Sequence, residues 1–427
     1  MIAFKRIISV LFVFALSLQV VEAQVPDPHK LSAGKLKKLA RNAERYGDTY
    51  TALMYYEVYA SKKSDDYGVQ YHLGELRERL RDYKGASEAY LQAYNIDDGT
   101  AQAMYDHIRT LKMTGKIAEA RAKYEELNDN IRAKRYNYKW RRVLKDDIAG
   151  CDTALALMDD SIEVLVKNVG EGINGPHAEF APILVEDSVL VYGALKESEI
   201  KYYRIDSMTT RRRLYISEYE NGAWQESELW DAPFNSGEEH LVNGAFNRDK
   251  SLFVFTKCYE NWKNEMTCEL WRVEYDEGKW GTPEKFSELI NIPDAIVTQP
   301  TFAFDPRREQ DILYYSSNRE DGKGGMDIWY TYFDKRRENW RKPRNLGRRI
   351  NGEGDEITPF YSLKEKKLYY SSNSFTGMGG LDIYYARGEV RRFSRPINVG
   401  YPINSSVDDF YYVLRDDRQS GFLVSNR

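Results

Sequence analysis

Two aspartates stand 55 residues apart in nearly the same setting, and they are the first groups to test for chemistry. Asp327 closes the run Asp321-Gly-Lys-Gly-Gly-Met-Asp327, and Asp382 closes Gly379-Gly-Leu-Asp382. A glycine-rich loop bearing a lysine could cradle phosphate, and regularly spaced acids could hold calcium. Neither pattern is completed. No Ser or Thr follows the Gly-Lys pair, and the alternating Asp/Asn ligands with a closing Glu are missing. A catalytic carboxylate is normally a single group, whereas these two recur once per unit, together with Ser317, Asn318, Ser372 and Asn373. Residues distributed in that way brace turns. The acidic pairs Glu238-Glu239 and Asp408-Asp409 could serve glycoside hydrolysis, yet they also recur at the start of repeating units. The histidines His29, His72, His107, His177 and His240 lack metal-ligand spacing, and no Gly-x-Ser-x-Gly elbow is visible. The expectation is therefore a chain without catalytic residues, metal or cofactor, and not an enzyme.

The elements that carry those aspartates are short strands. Asp311-Ile-Leu-Tyr-Tyr-Ser-Ser317 is rich in aromatic and branched residues, and Asp327-Ile-Trp-Tyr330 follows a polar connection. The pair returns as Lys367-Leu-Tyr-Tyr-Ser-Ser-Asn373 and Asp382-Ile-Tyr-Tyr385, and begins again at Gly421-Phe-Leu-Val-Ser-Asn-Arg427. Further copies lie upstream. Ile173-Asn174, Phe234-Asn235, Ile290-Asn291, Ile350-Asn351 and Ile403-Asn404 lead into successive units, with separations of 61, 56, 60 and 53 residues. Units close on an aromatic residue: Trp224, Trp280, Trp340 and Phe393. This spacing fits about five units of four strands each, the last incomplete, in a radial β-propeller over residues 159–427.

Residues 24–158 follow a helical pattern with a different period. Ala52, Ala86 and Ala120 are 34 apart, as are Tyr56, Tyr90 and Tyr124. Small alanines allow helices to approach closely, and an aromatic one turn later fills the gap. With Leu73-Gly74 in the middle copy, the pattern resembles the tetratricopeptide repeat, an α-solenoid of helix pairs. Ala40 and Ile108 stand where glycine is usual. The resemblance implies a concave face on the first helix of each pair. In this register that face holds Lys37, Arg41 and Arg45, then Tyr71, Glu75 and Arg79, then Tyr105, Arg109 and Lys112. Six of these nine are basic, which suits an acidic or C-terminal carboxylate segment of a protein partner. On this reading Arg41→Glu with Arg109→Glu abolishes partner capture and leaves the fold intact. The basic, aromatic segment 131–142 is expected to be a capping helix, and helix should give way to strand near 162–166.

The first residues address the chain to a compartment. Lys5 and Arg6 precede an apolar run from Ile7 to Leu18, and Val21-Glu22-Ala23 places small residues for cleavage after residue 23. A secretory signal peptide over 1–23 is expected, with no transmembrane span in the mature protein. The net charge of −4 gives no nucleic-acid footprint. Three cysteines are too few for a disulfide scaffold; Cys258 and Cys268 flank one loop and could pair in an oxidising compartment, while Cys151 is left over as a buried thiol.

The motif Ser-x-Asn-Arg followed by Gly-Gly-x-Asp-Ile-Tyr/Trp, present from Ser316 to Trp329 and nearly repeated from Ser371 to Tyr384, resembles WD-like β-propellers related to TolB. The order of helical repeat before propeller resembles the PorE-like envelope proteins of Bacteroidetes, an OmpA-family architecture. That resemblance implies a periplasmic, outer-membrane-associated scaffold linked to type IX secretion, binding protein partners through both domains. A propeller hydrolase acting on glycans or peptides, or a ligand-sensing propeller, is the alternative. The sequence stops inside the fifth unit, before its Gly-Gly-x-Asp-Ile-Tyr. Either strand 162–166 closes the ring, or the C-terminal part of a longer protein is absent, and the second is expected. Only that absent part would bring contact with peptidoglycan.

Overall fold

The computed structural model describes residues 27–427 apart from 46–47, 98–100, 134–137, 176–177, 196–210, 238, 261–264, 277 and 418. The expected signal peptide, His177 and Glu238 lie outside the described residues. Among those described, seven α-helices come first: α1 (Ala33–Arg45), α2 (Thr49–Lys62), α3 (Tyr67–Arg79), α4 (Tyr83–Ile96), α5 (Ala101–Met113), α6 (Ile117–Ala133) and α7 (Tyr138–Asp159). They form tetratricopeptide-like pairs. Asp48, Asp66 and Asp82 cap α2, α3 and α4, each accepting a bond from the backbone N–H three residues on. Such a cap contributes about 1 kcal/mol.

The 34-residue positions become the packing core of the pairs. Ala52, Ala86 and Ala120 are fully buried, and Tyr56, Tyr90 and Tyr124 fill the spaces beside them. A Cβ at Gly74 would stand 2.5 Å from the Tyr90 ring, so the middle pair has room for nothing larger than glycine there. The same geometry distinguishes the copies. Tyr56 donates to Glu44 at 3.0 Å and Tyr90 to Glu78 at 3.1 Å. The position equivalent to Glu44 and Glu78 is Lys112 in the third copy, and the Tyr124 hydroxyl is buried without a hydrogen-bond partner. Of segment 131–142, the first residues end α6 and those from Tyr138 begin α7, while 134–137 lie outside the described residues.

Among the described residues, four five-stranded antiparallel sheets follow, arranged as propeller blades, with a two-stranded sheet in a fifth position. The inner strands are Glu179–Glu186, His240–Phe246, Val297–Asp305, Glu356–Ser362 and Asp409–Leu414. They succeed one another around a central channel, and Asp409–Leu414 neighbours both the blade-four and the blade-one inner strand. Each full blade has three long strands and two strands of two residues, rather than four similar ones. In blades two to four a proline (Pro283, Pro343, Pro396) separates the two short pieces. Proline has no N–H to continue a ladder, so the outermost strand is split there. The expected strand at 162–166 does not form. Ile162 bonds once to the Tyr401 carbonyl, but the Val164 N–H turns back to the Ile162 carbonyl and interrupts the extended run.

The two domains share a core. Met378, on a blade-four loop, is buried in the cluster formed by Ile108, Tyr124, Leu144, Cys151 and Ala154 from α5, α6 and α7. Ser406 of blade five donates to the Met113 carbonyl at 3.2 Å. Burying a methionine contributes about 1.5–3 kcal/mol, so Met378 holds the helices against the ring.

Candidate functional site

Two regions have the form of a site: the row of first helices and the propeller channel. In the row, side chains link each helix to the next. His72 lies 2.7 Å from Glu44 and 2.7 Å from Glu75. Tyr71 donates to Asp106 at 2.6 Å, and Arg109 grips Glu78 through two bonds of 2.5 and 2.8 Å while also reaching Asp106. Burial opposes the Arg109 charge, but the bonds and charge of Glu78 outweigh it and raise its pKa. The Tyr105 ring packs against Tyr124 of α6 and Trp140 of α7, with centroids 5.9 and 5.3 Å away, and burial pushes the Asp147 carboxyl of α7 up. Lys37 pairs with Asp66 at 3.1 Å.

These contacts sort the nine positions read from sequence. Lys37, Tyr71, Glu75, Tyr105 and Arg109 are tied into the helix row, whereas Arg41, Arg45 and Arg79 are exposed along it and Lys112 is partly exposed near α7. The expectation that Arg109→Glu would leave the fold intact is corrected by this geometry. It would place a third carboxylate against Glu78 and Asp106.

The channel is closed at one level by a ring of neutral polar groups. Each inner strand carries a two-residue bulge, and in four of the five the first bulge residue is left-handed: Ala181, Gln299, Thr358 and Tyr411. A non-glycine residue in that region is strained by about 1 kcal/mol or more. Interblade bonds offset the strain. The Asn243 side-chain oxygen accepts from the Gln299 N–H at 3.2 Å, Gln299 Oε1 accepts from the Thr358 N–H at 2.9 Å, and Thr358 Oγ1 accepts from the Tyr411 N–H at 3.2 Å. The Tyr411 hydroxyl returns across the channel to Asn243 at 3.2 Å. Burial raises the Tyr411 pKa, with the bonds from Asn243 and Gln299 opposing it. Above this ring lies a cavity of about 640 Å³ walled by residues such as Pro182, Pro300, Phe302 and Pro359. Charged residues, among them Glu186, Arg248, Lys364 and Arg415, also line it.

The repeated residues Asn318, Asn373, Ser372, Asp327 and Asp382 make their bonds within their own blades. Asn318 accepts from the Ile296 N–H at 2.7 Å, and Asn373 from the Asp355 N–H at 2.7 Å. Ser372 donates to Glu356 at 2.8 Å, while Ser317 is fully buried. Asp327 accepts from the Lys323 N–H and from Asn345, and Asp382 from the Gly379 N–H. Burial drives the Asp382 carboxyl up to about 7, with the charge of Asp409 adding to the shift and Lys112 opposing it. Asp408 accepts from Leu381 N–H and Asn426, and Glu239 faces Lys257 at 3.8 Å.

A further set was visible in sequence only as markers. Asn235, Asn291, Asn351 and Asn404 each accept from an N–H and donate to the C=O of one residue on the preceding blade's third strand: Leu214, Leu270, Ile328 and Ile383. The recurrent dipeptide was the available signal, and its side chain imitates a strand neighbour.

Cys258 and Cys268 form a disulfide between directly opposed residues of the two longest blade-two strands, and Cys151 is a buried free thiol. Burial lowers the pKa of His107, which lies 2.9 Å from the Ser87 hydroxyl, and His240 accepts from the Arg212 N–H. Among the described residues no three His, Cys, Asp or Glu side chains converge as metal ligands, and no helix is long and apolar enough to cross a membrane.

No protein-family model and no curated protein sequence matches the chain. Several solved structures are similar in fold. A thermostable family-43 glycoside hydrolase is 17% identical over 60% of this chain and 86% of its own, with a TM-score of 0.39. The Yersinia enterocolitica type III secretion translocator chaperone SycD is 16% identical over 30% of this chain and 95% of its own, at 0.25. The first tetratricopeptide domain of Spaghetti, bound to an HSP90 peptide, is 16% identical over 29% of this chain and 95% of its own, at 0.23. The first of these overturns the expectation that the chain is not an enzyme, because an enzyme is among the proteins it is similar to. At this level of likeness the neighbours share a fold and carry no activity over to the chain.

Proposed function

We propose that this protein is an exported scaffold of the outer-membrane envelope, one that holds protein partners on its helical repeats and presents the propeller as a second surface. The reading is supported by the order of the two domains, which resembles PorE-like envelope proteins, and by the sequence pattern of a secretory leader expected over 1–23. Within it, the protein works in the periplasm as a component associated with type IX secretion. Contact with peptidoglycan belongs to this reading only where an OmpA-type domain accompanies the chain.

The observation that carries the partner site is the division of labour along the first helices. Lys37, Tyr71 and Arg109 are bonded, and Tyr105 packed by its ring, from helix to helix, which fixes the shape of the face. Arg41, Arg45 and Arg79 stand exposed on that fixed face, and Lys112 lies at its far end. Guanidinium groups on a rigid surface suit carboxylates, since little side-chain freedom is lost on forming two-pronged bonds. Arg41→Glu combined with Arg79→Glu should abolish co-purification of the envelope partner while circular dichroism and melting stay unchanged. Undiminished co-purification by the double variant would overturn the site.

A further inference from the structure

The outer rim of blades three and four holds a basic crevice that the helical face does not account for. Two adjoining hollows of about 730 and 610 Å³ meet at Arg391 and Arg392. Six basic side chains line the first hollow, and Arg348 and Arg349 extend the set into the second. This concentration is notable in a chain whose net charge is −4. The acids within the crevice are already engaged. Glu389 pairs with Lys366 at 2.6 Å, Glu365 binds Lys367 and Tyr369, and Asp305 accepts from the Arg307 N–H. By contrast, Arg307, Arg308, Arg348, Arg391 and Arg392 are exposed and make no ion pair among the described residues.

The crevice is also held in shape. Tyr314, fully buried, donates to the Val390 carbonyl at 2.7 Å, and Tyr361 to the Gly388 carbonyl at 2.9 Å. Arg349 donates to the Phe393 carbonyl at 2.9 Å, which ties the blade-four leading loop to the turn bearing Arg391 and Arg392. Two features of the chemistry select an occupant. All but one of the eight basic residues are arginines, which favour planar, two-pronged recognition of carboxylates over the point contacts of lysine. Apolar groups, including Leu346 and Val390, line the hollows between the charges. A flat bilayer surface cannot enter a concave groove, whereas an extended strand with alternating acidic and apolar side chains can place one set on the arginines and the other between them.

We infer that this crevice binds an extended acidic peptide segment of a protein partner, with apolar residues interspersed among its carboxylates. The test is fluorescence anisotropy of the full chain with a labelled hexapeptide of alternating glutamate and leucine. Vesicles of phosphatidylglycerol serve as the competing probe. The expected result is saturable peptide binding that weakens with salt and falls about tenfold in Arg348→Glu/Arg391→Glu, with the melting temperature unchanged. Arg392→Gln, which removes one charge without reversing it, should give a smaller loss. Arg41→Glu, on the helical face, should give none, which separates this crevice from the helical site. Equal affinity in the two rim variants would overturn the inference, as would vesicle binding without peptide binding.

Discussion

Blades three and four carry the same loop in two different settings. Residues 321–327 and 376–382 share the glycines and the closing aspartate, and both are latched to the next blade in the same way. The Met326 N–H donates to Asp355 at 2.8 Å, and the Leu381 N–H to Asp408 at 3.0 Å. A Cβ on Gly324 would strike the Gly354 carbonyl, and one on Gly379 the Val407 carbonyl. Of the three positions that differ, one changes its surroundings completely. Lys323 points to solvent, whereas Met378 at the same position is 1% exposed among the helices. The period therefore fixes the backbone of the blade, and a departure from it decides which blade carries the helical domain.

Breaking the difference should have the largest effect. Met378→Lys places a charge in the shared core and removes its apolar packing, and a loss of about 4 kcal/mol is expected from denaturant unfolding. The helices should then melt separately from the propeller. Breaking what the loops share comes next. Gly324→Ala and Gly379→Ala should each destabilise by about 2–3 kcal/mol, because the obstacle in both is backbone.

The two aspartates sharpen the comparison through pH. Asp382 is raised to about 7 in the folded state, so it binds its proton more tightly folded than unfolded. Its stabilising contribution is full below about pH 4 and is lost as pH rises through about 7, at no more than about 1.4 kcal/mol per pH unit. Asp382→Asn should flatten that slope more than Asp327→Asn does. Asp327 is also raised by burial, but it keeps a bond of 2.7 Å from Asn345, while the equivalent Asn398 amide in blade four is buried without a partner. The smallest effect belongs to Lys323→Met, within about 0.5 kcal/mol, since that position faces water.

Much of this architecture was legible because it repeats. Ala52, Ala86 and Ala120 recur every 34 residues since each fills the same contact between paired helices. The propeller units were equally visible from Ser-Ser-Asn and Gly-Gly-x-Asp. Residues whose partners lie in another repeat were not. Arg109 reads as an open binding residue until the fold brings Glu78, 31 positions away, against it. The channel ring was hidden for the same reason, because Asn243 meets Tyr411 across 168 residues only when the inner strands close their circle. The run 162–166 has the composition of a strand, but a single bond to Tyr401 gives it no ladder to join.

The claim at the centre of this account is that the exposed arginines of the helical row contact a protein partner. Site-specific photo-crosslinking in living cells tests it most directly, with the crosslinker at Arg79 on the first-helix face and at exposed Glu88 on the second helix of the same pair. One discrete adduct from position 79, absent from position 88 and lost with Arg41→Glu, is the predicted result. No adduct from position 79, or the same adducts from both positions, would contradict it.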